Sequence, residues 1–374
     1  MSVDDDAGLA GDTGRSILSA GTAWETPLTS PVAQDAYFRD AAAVLAAPPS
    51  VVADGVLVDL LARHYGLSGE IKTLSSEVEC TAEVSLPDGR RLILKTSRRP
   101  EAVESFRFQS AAIATVAGAT GFVAPLVLPT SGGGLMFAHD GVCGYLQTRV
   151  EGTPMHRVAR SPRLLRDVGC ALGRLDLALS RRELPAMHRP VLWHVRCWPR
   201  LMELQRYLPP GPVAEAVARS MRAFEREIAP AIGSVPWQIA HNDPSPFNTL
   251  VSEAGIAFID FGDGCWGPRI QDLAIAAGHL VSDPALPLGG AEHLIAGYAA
   301  VLPLSSDEAG LLVGLMRARQ SALILINYWR AHLFPGNADY IKKNVPRAER
   351  GLAILAPLDP ARERAAVMAA AAMS

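Results

Sequence analysis

The hydrophobic period changes once along this chain, and that change limits the folds open to it. From Ile71 the runs IKTLSS, CTAEVSL and RRLILKTS alternate at every second position, and Pro87-Asp88-Gly89 joins the last two as a hairpin turn. PEAVESFRFQSAAIATVAG, opened by Pro100 and ended near Gly118, has helical spacing. Strand-like runs return at Gly121–Leu128, Gly134–His139 and Gly144–Val150. After Glu151-Gly152 the spacing is helical over roughly 161–180, 195–207, 212–229, 268–282, 290–301, 306–334 and 346–373, with one β-rich island at 237–261. The pattern predicts an α+β chain with a small antiparallel sheet and one helix in a first lobe, residues 50–150. A larger, mostly helical lobe follows at 151–374. Residues 1–49, rich in Ala, Gly, Ser, Thr and Asp, read as a partly disordered extension with a short helix near Gln34–Ala46. Two-lobed chains commonly bind ligands in the cleft between lobes.

Composition removes several function classes. A formal net charge of −3 lacks the basic excess of a nucleic-acid binder. No uninterrupted apolar run approaches the roughly 18–20 residues of a membrane helix. The start, MSVDDDAGLAG, is acidic where a signal peptide is basic. Cysteines at 80, 143, 170, 197 and 265 are odd in number and lack zinc spacing. The expectation is a cytoplasmic chain with reduced thiols and neither a nucleic-acid nor a membrane partner.

Chemistry concentrates in His241–Asn248, HNDPSPFN. Pro244 and Pro246 exclude regular helix and central strand, so the loop is stiff and still carries a His, an Asp and an Asn. The strand GIAFID then delivers Asp260 in IDFGD. Asn248 and Asp260 offer the hard oxygens Mg²⁺ takes, and Asp243 can accept a proton from a substrate hydroxyl. Lysines occur only at 72, 95, 342 and 343 in an Arg-rich chain, which draws attention to Lys95 at a strand end before a helix. A phosphate clamp, a metal pair and a base together suit phosphoryl transfer. His241 reads as a scaffold for the loop, Asp263 as support for the metal loop and Asp272 as an anchor of the second lobe. Trp193, Trp266, Trp329 and Tyr328 read as core aromatics or pocket walls.

HxDxxxxN followed by IDFxD resembles the aminoglycoside phosphotransferase and choline kinase superfamily, relatives of protein kinases. YGLSGEIKTLSSE, LILKTS, VEGTP, ALGRLDLAL and FIDFGDGCWGPRIQDLAIA, in that order, are most similar to its hydroxylysine kinase-like branch, over about residues 50–357. The resemblance implies a protein-kinase-like fold with ATP or GTP between the lobes. It implies Lys95 on the nucleotide phosphates, the Ser75-Ser76-Glu77 turn over them, and hinge backbone at Thr148–Val150 against the purine. Asp243 would be the catalytic base, with Asn248 and Asp260 holding Mg²⁺. Four positions depart from the pattern. Asn242 stands where the family has Gly after the motif His, and Ser245 where protein kinases have Lys. Gln109 stands where a helix acid pairs with the strand Lys, with Glu104 one turn away as its substitute. His194 stands where the branch reads Asp after Trp193.

The reading is a Mg²⁺-dependent phosphotransferase acting on a small-molecule alcohol. The acceptor is either a hydroxylated amino acid or amino alcohol such as hydroxylysine, or a nucleoside- or aminoglycoside-type antibiotic inactivated by phosphorylation, giving resistance. His194 and Ser245 tilt the expectation toward the antibiotic. Gln109 and Asn242 keep open a nucleotide-binding regulator without turnover, a pseudokinase. A metal-dependent phosphohydrolase using Asp243 as nucleophile is a further alternative.

Overall fold

The structure, a computed structural model, describes residues 31–180 and 182–373; the expected extension lies outside the described residues as far as residue 30. Its remainder, from Pro31, is part of the packed fold. Helix α1 (Pro31–Ala46) buries Tyr37, Phe38, Ala41 and Leu45 in the large core, and the Tyr37 hydroxyl donates to the Arg189 carbonyl at 3.1 Å. Arg99 Nη1 in turn donates to the Val44 carbonyl at 2.9 Å. Helix α2 (Asp54–Tyr65) stops at Gly66, whose φ of 63° is a left-handed cap that a Cβ would strain.

The alternating runs pair as their pleat requires. β1 (Glu70–Leu74), β2 (Cys80–Ser85), β3 (Arg91–Ser97), β4 (Val127–Leu128), β5 (Phe137–His139) and β6 (Val142–Thr148) form one antiparallel sheet in the order β1-β2-β3-β6-β4, with β5 also on β6. Every second residue, Ala82, Val84, Leu92, Leu94 and Leu146 among them, packs with Leu57, Leu60 and Leu61 of α2 into one small core. The other face takes α3 (Ala102–Val116), where Phe106 meets Tyr145 edge-on at 5.5 Å. Lys95 stands opposite Tyr145 in the β3–β6 register, on this second face. The long strand expected over 121–128 shrinks to two residues because Pro125 has no N–H to give. Val123 instead exchanges backbone bonds with Ile256 and Phe258, tying the first lobe to the island.

The island is wider than its pattern, running to residue 268. β7 (Thr153–Pro154), β9 (Thr249–Ser252) and β10 (Gly255–Phe258) make one small sheet, and β8 (Trp237–Ala240) pairs with β11 (Cys265–Pro268). The helices of this lobe are α4 (Pro162–Leu179), α5 (Pro212–Ala223), α6 (Ile270–Gly278), α7 (Glu292–Val301), α8 (Ser306–Leu333), α9 (Ala338–Lys342), α10 (Val345–Leu355) and α11 (Pro360–Ala371). Residues 195–207 form 3₁₀ turns around Pro199. The single helix expected over 346–373 breaks before Pro360, where Asp359 accepts from the Ala361 and Arg362 amides and starts α11.

The 28-residue α8 starts at a capping box of Ser305 and Glu308. Despite the short runs in its sequence, it is long and apolar enough by composition to cross a bilayer; 89% of its apolar window is buried inside the protein. It is the axis of the second lobe and carries Arg319 and Arg330 to the cleft.

α4 and α7 cross at two glycines. A Cβ on Gly169 would meet the Leu294 carbonyl oxygen at 2.0 Å, and one on Gly297 the Arg166 carbonyl oxygen at 2.0 Å. Backbone cannot give way as a flexible side chain can. Gly169→Ala is therefore expected to lower unfolding free energy by about 1–3 kcal/mol, the usual range for overpacking. Urea denaturation measures this; an unchanged midpoint would show that the helices separate freely.

Candidate active site

The loop after β8 is held through its backbone. The amides of His241 and Asn242 donate to Oδ2 and Oδ1 of Asp272 on α6, both at 2.7 Å. His241 Nε2 donates to the Ile259 carbonyl at 3.1 Å, and its Nδ1 accepts from the Asp243 amide at 3.3 Å. Burial pushes this imidazole down to about 4, which matches the neutral tautomer those bonds require. Asn242 has φ 63°, the left-handed conformation that Asn tolerates better than most residues. Its side chain, fully buried, donates to the Asp263 carbonyl at 3.0 Å and accepts from Gln271 at 2.5 Å. The glycine of the resembled pattern is thus replaced by a residue that keeps the turn and adds a tie to the Asp260–Gly264 turn.

Asp243 and Asn248 face each other. Asn248 Nδ2 donates to Asp243 Oδ2 at 2.7 Å, and Ser245 Oγ lies 3.4 Å from the same oxygen. Arg319 Nη2 donates to Asp243 Oδ1 at 3.1 Å. Burial raises the Asp243 carboxyl, and Arg319 works against the rise. Asp260, at the end of β10 with φ 63°, accepts from the Gly262 amide and from Lys95 Nζ at 2.8 Å. Lys95 and burial act in opposite senses on its carboxyl, and Lys95 wins, holding it below the ordinary carboxylate range. The turn of Asp260–Gly264 rests on Arg189, whose two terminal nitrogens donate to the carbonyls of Gly262 and Gly264 and whose guanidinium stacks on Phe108 at 4.3 Å. Asp263 is pushed up to about 7 by burial and by the charges of Asp243 and Asp260.

The sequence offers Gln109 or Glu104 to Lys95, and the structure gives it the first together with an acid that the sequence did not offer. Gln109 does touch it, with Oε1 3.2 Å from Nζ, but the acid is Glu79, whose Oε2 lies 3.1 Å away. Glu104 instead pairs with Arg107 on the exposed face of α3. Glu104 is five residues from Gln109, about 140° round the helix, so it faces away from the cleft. Gln109 joins the set by donating to Glu79 and Ser105 and accepting from the Tyr145 hydroxyl at 2.9 Å. Burial disfavours the Lys95 charge, yet Asp260 and Glu79 together hold its ammonium well above the ordinary value.

The 75–79 turn reaches the second lobe. Glu77 pairs with Arg330 of α8, and the Ser75 side chain meets the Tyr340 hydroxyl; Ser76 is half-buried beside it. At the hinge, the Thr148 amide donates to the Leu126 carbonyl and the Arg149 amide to the Arg91 carbonyl. The sheet uses both, leaving Val150 as the hinge amide without a protein partner among the described residues. His194 is buried as a helix cap: Nδ1 accepts from the Arg196 amide at 3.0 Å and Nε2 donates to the Trp266 carbonyl at 2.9 Å.

Among the described residues no three His, Cys, Asp or Glu side chains converge at metal distance. The donors available beside Lys95 are hard oxygens, one amide and one half-exposed carboxylate. The side chains of Asn248 and Asp260 offer an amide oxygen and a carboxylate, hard donors that fit Mg²⁺ keeping waters and phosphate oxygens among its ligands.

A strand lysine, an HxDxxxxN loop and an IDFxD turn between two lobes of this kind define a kinase that transfers phosphate to a hydroxyl. Residues 70–304 match the phosphotransferase enzyme family, and the chain belongs to it. Hydroxylysine kinase of Danio rerio is 25% identical over 306 residues, covering 76% of this chain and 86% of that one. Matches to two mammalian hydroxylysine kinases span little more than half of those proteins, 56% and 58%. A homoserine kinase of Phenylobacterium zucineum is 30% identical over 158 residues, 41% of this chain and 48% of that one. An amicoumacin kinase structure superposes with a TM-score of 0.59 at 14% identity, over 79% of this chain and 94% of that one, which shows the shared protein-kinase-like fold.

His194 yields a pH prediction. Burial pushes it down to about 3, so between that value and about 6.5 the unfolded chain takes up a proton that the native state refuses. Stability is then complete above about pH 6.5 and falls as pH drops below it. His194→Asn, which keeps a capping oxygen, is expected to lose about 1 kcal/mol less between pH 7.5 and 5.5 than the wild type. Equal slopes in chemical denaturation at the two pH values would contradict this.

Proposed function

We propose that this kinase moves the γ-phosphoryl of ATP or GTP, with Mg²⁺, to the hydroxyl of a small hydroxylated amino acid or amino alcohol. The observation that carries the reading is that the Asn248–Asp243 pair and the Lys95–Asp260 pair meet, with the Ile259 amide bonded to the Asn248 carbonyl and the charge of Asp260 felt at Asp243. Asp243 orients the acceptor hydroxyl and receives its proton, its carboxylate fixed from both sides by Arg319 and Asn248. Lys95, kept charged by Glu79 and Asp260, offsets charge on the nucleotide phosphates. The turn at Ser75 and Ser76 covers them, and Val150 meets the purine. Asn248 and Asp260 would hold Mg²⁺, which would supply charge neutralisation to the same phosphates.

Similarity to hydroxylysine and homoserine kinases supports the amino-acid acceptor. The tilt toward an antibiotic rested on His194 and Ser245, and both side chains are engaged internally, one as a cap and one on Asp243. The departures that suggested a silent regulator also have replacements: Glu79 stands in for the helix acid, and Asn242 preserves the left-handed turn.

The test is γ-labelled nucleotide with a panel of hydroxylated amino acids, amino alcohols, aminoglycosides and nucleoside antibiotics. Label on an amino-acid hydroxyl supports the reading; label in free phosphate alone points to a hydrolase. Asp243→Asn is expected to lower kcat by about 10²–10⁴ while nucleotide binding, followed by calorimetry, persists. Wild-type turnover in that variant would sink the assignment of the base. Glu79→Ala is expected to cost roughly 10² in kcat/KM through a misplaced Lys95, whereas Glu104→Ala stays within about twofold of the wild type.

A further inference from the structure

We infer that Arg160, Arg319 and Arg347, gathered around His279 beside Asp243, form an anion subsite that receives the carboxylate of the acceptor. This rests on the kinase reading above and names the part of the acceptor that the second lobe recognises.

The geometry begins at the end of α6, at Gly278. Arg347 of α10 donates through Nη1 to the His279 carbonyl at 3.2 Å, and Arg160 donates through Nη1 to the Leu280 carbonyl at 3.2 Å. Capping of helix carbonyls accounts for one nitrogen of each. It leaves Nη2 of Arg347 unexplained, while Arg160 is exposed at the rim of the cluster. Arg319, 5% exposed, lies with its guanidinium 4.4 Å over the Trp193 ring and gives only Nη2 to Asp243. Its Nε and Nη1, the Nη2 of Arg347 and the Nδ1 of His279 are buried without a protein partner among the described residues. Buried donors left open are unusual in a native fold and point to a group that completes them.

The charge of the cluster indicates the sign of that group. Burial and the neighbouring charges of Arg160 and Arg319 bring the Arg347 guanidinium down to about 10, with Asp243 opposing the fall. His279 is kept neutral by burial and by repulsion from Arg347, Arg319 and Arg160. Asp243 is already engaged by Arg319. An entering anion therefore relieves repulsion among three cations, and guanidinium forks match a carboxylate in a bidentate manner. The nucleotide phosphates belong at Lys95 and Asp260, so the anion here belongs to the acceptor whose hydroxyl faces Asp243. A polycationic acceptor would meet three guanidinium groups of its own sign.

The test is calorimetry on the full chain with Mg²⁺ and the non-hydrolysable nucleotide AMP-PNP. The probes are L-serine, L-homoserine and 5-hydroxy-L-norvaline, each as free acid and as carboxamide, with inorganic phosphate as a separate arm. For at least one chain length the acid is expected to bind tenfold or more tightly than its amide. Arg347→Gln is expected to bring that ratio within about threefold of one, and Arg347→Lys to restore part of it. Circular dichroism and AMP-PNP titration identify any variant that fails to fold, in which case Arg160→Gln provides the same ratio. Equal affinity for acid and amide, an unchanged ratio in both glutamine variants, or binding of phosphate but no acid overturns the proposal. The kinase reading fails separately, if ATP transfers phosphate to no acceptor although the acid–amide preference is present.

Discussion

Lys95 Nζ is buried among Asp260 at 2.8 Å, Glu79 at 3.1 Å and Gln109 at 3.2 Å, and those three come from the end of β10, the entry to β2 and α3. An ammonium taken out of water is tolerable only when its neighbours return both charge and hydrogen bonds. The strand, the turn at 75–79, the helix and the island of the second lobe must therefore sit in one relative position for Lys95 to be charged at all. Tyr145 reinforces the position through Gln109, and Glu77 with Arg330 repeats it at the rim. The registration of the lobes and the burial of a charged Lys95 are two aspects of the same contact.

The second lobe holds its loop by another buried charge. Asp272 gives one oxygen to each of two consecutive amides, and behind it Asp176 is raised by burial and by the charge of Asp272, with the Tyr298 hydroxyl donating to Asp176 at 2.6 Å. Backbone donors cannot swing away as side chains do. Together with Pro244 and Pro246, this leaves Asp243 and Asn248 little freedom, which suits chemistry sensitive to fractions of an ångström.

Much of this was legible along the chain. The period change at Glu151-Gly152 marks the two lobes because sheets and helices bury their faces at different spacings, and HNDPSPFN with IDFGD names the residues that meet. What escaped depended on partners distant in sequence. Glu79 is one of two acids in SSEVEC, and nothing local tells which one turns inward. Arg319, interrupting an apolar helix, carried a signal in its charge but not the address of its partner, 76 residues upstream. His194, read from the sequence as a departure that tilts the acceptor toward an antibiotic, is a buried cap, a role set by the Arg196 amide and the Trp266 carbonyl.

By itself, then, the sequence determined the alternation of strands, the stiff loop, the candidate residues gathered in HNDPSPFN, IDFGD and the strand lysine, and the family. These are properties of neighbours in the chain, set by period, by proline and by short spacing. The tertiary structure alone decided that Glu79 and not Glu104 pairs with Lys95, that Asn242 serves in place of glycine, and that three arginines from separate elements gather beside Asp243. Burial and long-range packing set those choices, since an ion pair or an unpaired buried donor exists only once the chain has closed on itself.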